Sequence, residues 1–373
     1  MNVGLALLTL LPGRAGGAET YVRGLTNAFA NGDGTELTTL LLNRSNRSSF
    51  PSQNSSHLTS VCIDAYRPGD SSLTRLIAMT AAHLTPRAIA DAVPSGLDLM
   101  HYPVTVPIPR VAGIPRVISL LDVQHHDLPQ LFSVGERAYR RWAYDKAARD
   151  ADRVITISDF SASRISAQLM IPRDQIDVIH LGIDHDRFQP DGPTASIPSL
   201  PERYLYYPAN SWPHKNHELL FEAFTMIDDA ELHLVLSGAT PSGSVMHKAD
   251  SRVRHLGSVP ADQVAPLLRG AQAMIFPSLY EGFGFPPLEA MACGCPVAAS
   301  QIGAVSEVCG EAALLFDPTD PKLIAAAIRQ IIGDADLRAN LTSLGIRQAS
   351  KFTWQQTALG HRAVYQAVAE RPR

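Results

Sequence analysis

The chain has 373 residues, too many for one ordinary core when single domains hold about 100–200, so two domains are expected. Hydrophobic residues make up 45% and charged residues 18%, a balance that excludes a disordered chain. A net charge of −4 lacks the basic excess of a general nucleic-acid binder, and no apolar run is long enough to span a bilayer.

Apolar runs of strand length alternate with segments of helical period, which argues for parallel sheets built from βαβ units. The first strand is expected at Val3–Leu8; no basic residue precedes it and it runs into Pro12-Gly13, unlike a secretory core. A glycine-rich turn, Gly13 to Thr20, leads into a helix over Glu19–Ala30 that stops at Asn31-Gly32. Further strands are expected at Glu36–Leu42, Leu97–His101, Arg116–Leu121 and Arg153–Ile157, with a polar surface loop over Asn43–Ser56. The segment Leu121-Asp122-Val-Gln-His125-His126-Asp127 follows the fourth strand. A basic stretch, Arg137, Arg140, Arg141, Lys146, Arg149 and Arg153, follows on a helix with Tyr139, Trp142 and Tyr144 interleaved. Such a face suits a solvated surface, an anionic lipid-linked acceptor or a membrane surface. Prolines crowd Gln189–Pro201, the best linker candidate. Beyond it, strands are expected at Arg203–Tyr207, Glu231–Leu236, Arg252–Leu256, Ala273–Phe276 and Pro296–Ala299, making a second doubly wound domain. The cysteines at 62, 293, 295 and 309 are too few for a disulfide framework and lack paired CxxC spacing, which fits a reducing cytosol and no zinc site.

The chemistry concentrates after Phe276. There Glu281-Gly282-Phe283-Gly284-Phe285-Pro286-Pro287-Leu288-Glu289 forms a glycine and aromatic loop feeding a helix N-terminus, a place suited to phosphate. Glu289 is expected in the first helical turn, reaching a ribose diol, and Glu281 on the loop.

This E-x₇-E arrangement, with its Glu-Ala-Met-Ala-Cys-Gly-Cys-Pro-Val continuation, resembles the retaining nucleotide-sugar glycosyltransferases of family 4. The resemblance implies an α/β GT-B fold, two Rossmann-like doubly wound domains facing each other across a cleft. The acceptor-binding domain would take residues 1–185 plus a returning helix at 353–373, and the donor-binding domain residues 186–352. It implies a donor site of Lys215, Glu281, Gly282, Phe283, Gly284, Phe285 and Glu289, with Gly16 and Gly17 closing over the phosphates and Leu256 flanking the base. Glu19 and Asp122, with Gly17, would line the acceptor side; Glu19 reads equally as a first-turn helix acid. Two departures stand out. The family's cleft histidine before Asp122 is Leu121 here, so that either His125 or His126 takes its place or the sugar pocket differs, and no arginine precedes Lys215, leaving Asn210 or a residue of the other domain as a substitute phosphate ligand.

The resemblance implies a hexosyltransferase of the cytoplasm, at most peripheral at the inner face of the membrane. It would need no bound cofactor or metal and would use GDP-mannose, favoured over a UDP-sugar, on a glycan, lipid-linked or small-molecule acceptor. Competing readings are another GT-B enzyme, a phosphorylase or epimerase, and an inactive glycan- or nucleotide-binding subunit.

Overall fold

The computed structural model describes all residues except 14, 15, 33, 35, 51–56, 70, 71, 85, 199, 241–245, 247, 248 and 371–373. Arg14 and Ala15 of the glycine-rich turn and the end of the predicted 43–56 loop therefore lie outside the described residues. The chain divides into two compact units, Met1–Gly182 with Trp354–Arg373, and Ile183–Thr353.

The first unit holds a sheet of seven parallel strands: β1 Asn2–Ala6, β2 Leu37–Leu42, β3 Leu58–Cys62, β4 Leu99–Tyr102, β5 Arg116–Ser119, β6 Arg153–Thr156 and β7 Ile176–Val178. Their spatial order is β3-β2-β1-β4-β5-β6-β7. Val3, Leu5, Leu40, Leu99, Val117 and Val154 are buried, as an all-parallel sheet covered on both faces requires. The second unit repeats the plan with β8 Tyr204–Pro208, β9 His233–Ser237, β10 Val253–His255, β11 Ala273–Phe276, β12 Val297–Ser300 and β13 Leu314–Phe316, in the order β10-β9-β8-β11-β12-β13. In each sheet the order reverses beside the first strand, at β1/β4 and at β8/β11. Loops leaving the carboxyl ends of those strands diverge there and open a crevice.

The helices on which the sites depend are α1 Gly17–Asn31, α2 Ser72–Leu84, α3 Val134–Arg140, α4 His217–Thr225, α5 Phe285–Ala292 and α6 Trp354–Ala369. Three strands escape the sequence pattern. β7 and β13 are three residues each, too short for periodicity to register, and β3 carries Thr59 and Ser60 at its centre. Arg153, expected both at the end of the basic helix and at the start of a strand, lies on β6, because that helix breaks into a π turn at Arg141–Asp145 and ends at Arg149. The proline-rich 189–201 segment belongs to the second unit. Arg269 pins it there by donating to the carbonyls of Gln189 and Pro193.

Helix α6 closes the chain onto the first unit through a buried relay. Tyr365 donates to His101 Nδ1 at 2.7 Å, and His101 Nε2 meets Ser119 Oγ at 2.8 Å. Ser119 Oγ meets the Tyr21 hydroxyl at 2.8 Å, and that hydroxyl meets His361 Nε2 at 2.7 Å. His361 Nδ1 lies 2.7 Å from the Thr357 carbonyl, so Nδ1 carries its proton. Every donor then finds one acceptor with both imidazoles neutral. Burial enforces that state, holding the His101 pKa well below normal and lowering His361 to about 4. Where α1 crosses α6, a Cβ on Gly24 would lie 2.1 Å from the Trp354 ring, so the helices approach only because residue 24 is glycine.

Two outcomes follow. Gly24→Ala should cost about 1–3 kcal/mol in chemical denaturation, since Trp354 sits where the methyl must go. His361 takes its proton near pH 6.5 when unfolded but near 4 when folded, so its contribution is intact above pH 6.5 and lost as pH falls towards 4. Wild type should lose about 3 kcal/mol more than His361→Gln over that window; parallel unfolding curves would contradict the relay.

Candidate functional site

In the second unit the crevice lies between the loop after β8 and the loop after β11. The first turns through Pro213–Lys215, and Asn216 adopts a left-handed conformation at φ 61° to start α4. Asn216 Nδ2 donates to the carbonyls of Pro277 and Pro318, at 3.1 and 2.8 Å, and the Leu279 amide donates to the His214 carbonyl at 2.7 Å. These bonds stitch the two loops together and set their charged side chains face to face. Lys215 Nζ lies 2.5 Å from Glu281 Oε1, with each side chain about 15% exposed. Ser278 donates to the same carboxylate oxygen at 2.5 Å, and the Tyr207 hydroxyl donates to the Lys215 carbonyl at 2.7 Å. Burial, with a further push from Lys215, lowers the neighbouring His214 to about 4, and burial also brings His217 to about 4. Both imidazoles are therefore neutral at pH 7, and Lys215 is the cation of this pair of loops.

Gly284, at φ 138°, lets the loop turn into α5 where a side chain would be strained. The helix begins at Phe285, with both prolines inside its first turn. Proline fits there because first-turn amides have no intrahelical partner, but it also brings no N–H. Pro286 and Pro287 thus remove two of the donors expected of a phosphate-binding helix start, leaving the backbone amides of Gly282 through Phe285. Glu289 lies in the second turn of α5, a correction to its expected first-turn position, because the helix starts ahead of the prolines. Its side chain keeps some exposed surface, yet desolvation of the carboxyl raises its pKa to about 7; Arg187 lowers it and Asp184 raises it. Both lie about a hundred residues upstream of Glu289, so no local pattern links them to it.

On the far side of β8, Asn210 is exposed and accepts from the Ala239 amide at 3.1 Å. Leu256 follows β10 half-buried, its amide bonded to the Leu236 carbonyl. The structure thus brings Lys215 and Glu281 into contact, seats 282–285 on the same loop, and places Asn210 and Leu256 at the neighbouring strand ends.

In the first unit the carbonyl of Gly16 accepts from the amides of Glu19 and Thr20, and Gly17 opens α1. Glu19 Oε2 accepts from the Gly13 amide at 2.7 Å, while its Oε1 pairs with Arg23 at 2.7 Å. Both carboxylate oxygens therefore serve the loop and the helix. Asp122 follows β5 half-buried and accepts from the Gln124 amide at 3.0 Å. It lines a cavity of about 810 Å³ at the carboxyl ends of β1, β4 and β5.

His125 and His126, expected as substitutes for the absent cleft histidine, both pair with Asp145. Their Nε2 atoms lie 3.1 and 2.8 Å from the two oxygens of Asp145, which the π turn presents. His125 is fully buried; His126 keeps a little surface. Burial pushes the Asp145 carboxyl up, but the two imidazoles outweigh it and hold it below its ordinary range. These three side chains are the one metal-ligand grouping among the described residues. Their donor atoms are engaged with one another, and three ligands fall short of a closed structural site.

A model of Glycosyl transferases group 1 matches residues 202–334, and one of Glycosyltransferase Family 4 matches residues 15–187. Over 289 residues the chain is 29% identical to the O-antigen chain mannosyltransferase B of Escherichia coli, covering 73% of this chain and 75% of that one. Sucrose-phosphate synthase from Thermosynechococcus elongatus superposes with a TM-score of 0.76 at 22% identity, covering 98% of each chain. HepE of Anabaena, solved in complex with UDP-glucose, superposes with a TM-score of 0.70 at 18% identity, over 98% of this chain and 100% of that one. Two parallel, doubly wound sheets with these structural neighbours define a GT-B fold. The chain belongs to glycosyltransferase family 4 and is a glycosyltransferase.

The loop stitching is testable without substrate. Asn216→Ala loses two hydrogen bonds and must hold alanine in a left-handed conformation, and should destabilise the fold by about 2–3 kcal/mol in urea. Asn216→Gly keeps the backbone freedom and should recover part of the loss.

Proposed function

We propose that the chain transfers a hexose, mannose in first place, from a nucleoside-diphosphate sugar to a hydroxyl acceptor with retention and without a metal. The observation that carries this reading is the contact of Lys215 with Glu281 at the β8/β11 crevice, beside the 282–285 loop.

In the reaction the bond from the anomeric carbon to the diphosphate breaks, a bond to the acceptor oxygen forms, and the acceptor's proton leaves with the diphosphate. Negative charge grows on the leaving group. Lys215 and the amides of 282–285 supply fixed positive potential there, which lowers the barrier without reorganisation. Glu281 accepts hydroxyls of the sugar once Lys215 turns to the phosphates, and Ser278 holds its carboxylate in place meanwhile. Glu289 receives the ribose hydroxyls, with Asn210 and Leu256 towards the base. In the first unit, Asp122, with Gly17 and Glu19, faces the acceptor. Mannose is supported by the Escherichia coli relative, a mannosyltransferase by name, and a nucleotide-sugar donor by the HepE complex with UDP-glucose. Retention is supported by the resemblance to family 4 alone. No helix among the described residues is long and apolar enough to cross a membrane. Exposed Val134 and Trp142 beside Arg137 and Arg141 support a peripheral contact at the inner face of the membrane for an otherwise cytoplasmic enzyme.

Lys215→Ala and Glu289→Ala should each lower kcat/KM at least tenfold, about 1.4 kcal/mol of transition-state stabilisation. Near-normal turnover in both would overturn the assignment. EDTA should leave the rate unchanged, whereas loss restored by a divalent ion would refute metal independence. Because the Glu289 carboxyl ionises near pH 7, donor KM should fall as pH rises from 6 to 8, and Glu289→Gln should flatten that profile.

A further inference from the structure

The loops at the β8/β11 crevice are short of donors for a diphosphate. Pro286 and Pro287 take two amides out of the helix start, and Lys215 is already paired with Glu281. Asn210, expected in place of an arginine, spends its carboxamide oxygen on the Ala239 amide, and its side chain stands exposed in water.

Beside the Lys215 and Glu281 pair lies a polar group that the transfer reaction has not used. His214 is only 6% exposed, and neither of its ring nitrogens has a hydrogen-bond partner among the described residues. Buried polar atoms are nearly always paired, so a ring left open at a crevice calls for a partner from outside the chain. Its nitrogens can be reached, whereas the unpartnered Nε2 of His217 is sealed in. Burial brings the His214 pKa to about 4, with Lys215 lowering it further and Glu281 raising it, so the ring sits within the field of that pair. The residue is also held in place. Its carbonyl accepts from the Leu279 amide at 2.7 Å, and the Trp212 ring packs beside the imidazole, 5.5 Å between centroids.

A neutral imidazole carries one N–H, which can donate to a phosphate oxygen without adding a charge that competes for Glu281. Fixed before the ligand arrives, such a donor needs no reorganisation as charge develops. Glu281 takes the sugar hydroxyls and Glu289 the ribose, so a group beside Glu281 meets the phosphate next to the sugar.

We propose that a ring N–H of His214 donates to an oxygen of that β-phosphate, making His214 the second phosphate ligand beside Lys215. The proposal rests on the glycosyl-transfer reading above and adds a catalytic residue to it. As the bond from the anomeric carbon to the β-phosphate oxygen breaks, the electron pair goes to the phosphate and His214 keeps its proton, its hydrogen bond strengthening with the charge.

The test is calorimetry of the full chain with GDP against GMP and UDP against UMP. For the base that wild type binds, His214→Phe keeps a planar ring without an N–H and should weaken the diphosphate about tenfold, the monophosphate by about twofold or less. His214→Gln, which restores an N–H, should recover part of that loss, and Asn210→Ala should weaken diphosphate and monophosphate alike. In wild type labelled with ¹⁵N-histidine, one imidazole N–H should become protected from solvent exchange by the diphosphate and not by the monophosphate, a readout that requires no variant to fold. Equal losses for the two nucleotides in His214→Phe, or no imidazole N–H protected by the diphosphate, would overturn the proposal while leaving the transfer reading intact. Failure of wild type to bind any of the four nucleotides, with neither transfer nor donor hydrolysis from GDP-mannose or UDP-glucose, would instead overturn that reading, and this proposal with it.

Discussion

The contact between Lys215 and Glu281 depends on everything beneath it. A cation and an anion 2.5 Å apart at half-buried loop ends hold position only because the backbone under them is fixed. Asn216 bonds the loop after β8 to the loop after β11, Tyr207 holds the lysine's own carbonyl, and Ser278 holds the carboxylate. The parallel sheet puts both loops at the same edge, since the strand order reverses between β8 and β11. The pair is also a store of charge in balance. Each partner neutralises the other; in the proposed reaction a diphosphate would take Lys215 and free Glu281 for hydroxyls. The neutral His214 and His217 beside it add no competing positive charge.

The first unit is organised by a different device. Its last helix arrives from the far end of the chain and is locked by a relay of neutral, fully buried polar groups together with the Arg362–Glu36 ion pair. One acceptor per donor makes the arrangement directional, and protonation of either imidazole would break it. The cavity at the carboxyl ends of β1, β4 and β5 therefore sits in a frame closed by residues from both ends of the sequence.

What the sequence made legible was whatever is contiguous and punctuated. The alternation of apolar runs with helical spacing disclosed two doubly wound sheets, and the glycine, aromatic and proline pattern from Phe276 disclosed the loop and both of its glutamates. Glu289 falls one residue beyond the first turn, because the helix starts at Phe285 and the prolines occupy its second and third positions. Asp145 was invisible as the partner of His125 and His126, since it lies some twenty residues downstream and only a π turn aims it at them. The relay from Tyr21 to His361 joins residues 340 positions apart, and no local pattern marks it. Arg187 and Asp184, which tune the Glu289 carboxyl, are hidden in the same way.

The most direct measurement of the central claim is the melting temperature with and without saturating nucleotide sugar, for wild type and Lys215→Ala. A donor at 100 times its Kd stabilises the fold by about 2.7 kcal/mol, a shift of several degrees. Wild type should show that shift with GDP-mannose or UDP-glucose, and Lys215→Ala should nearly lose it. Equal stabilisation of wild type and variant, or none of wild type by either sugar nucleotide, would contradict it.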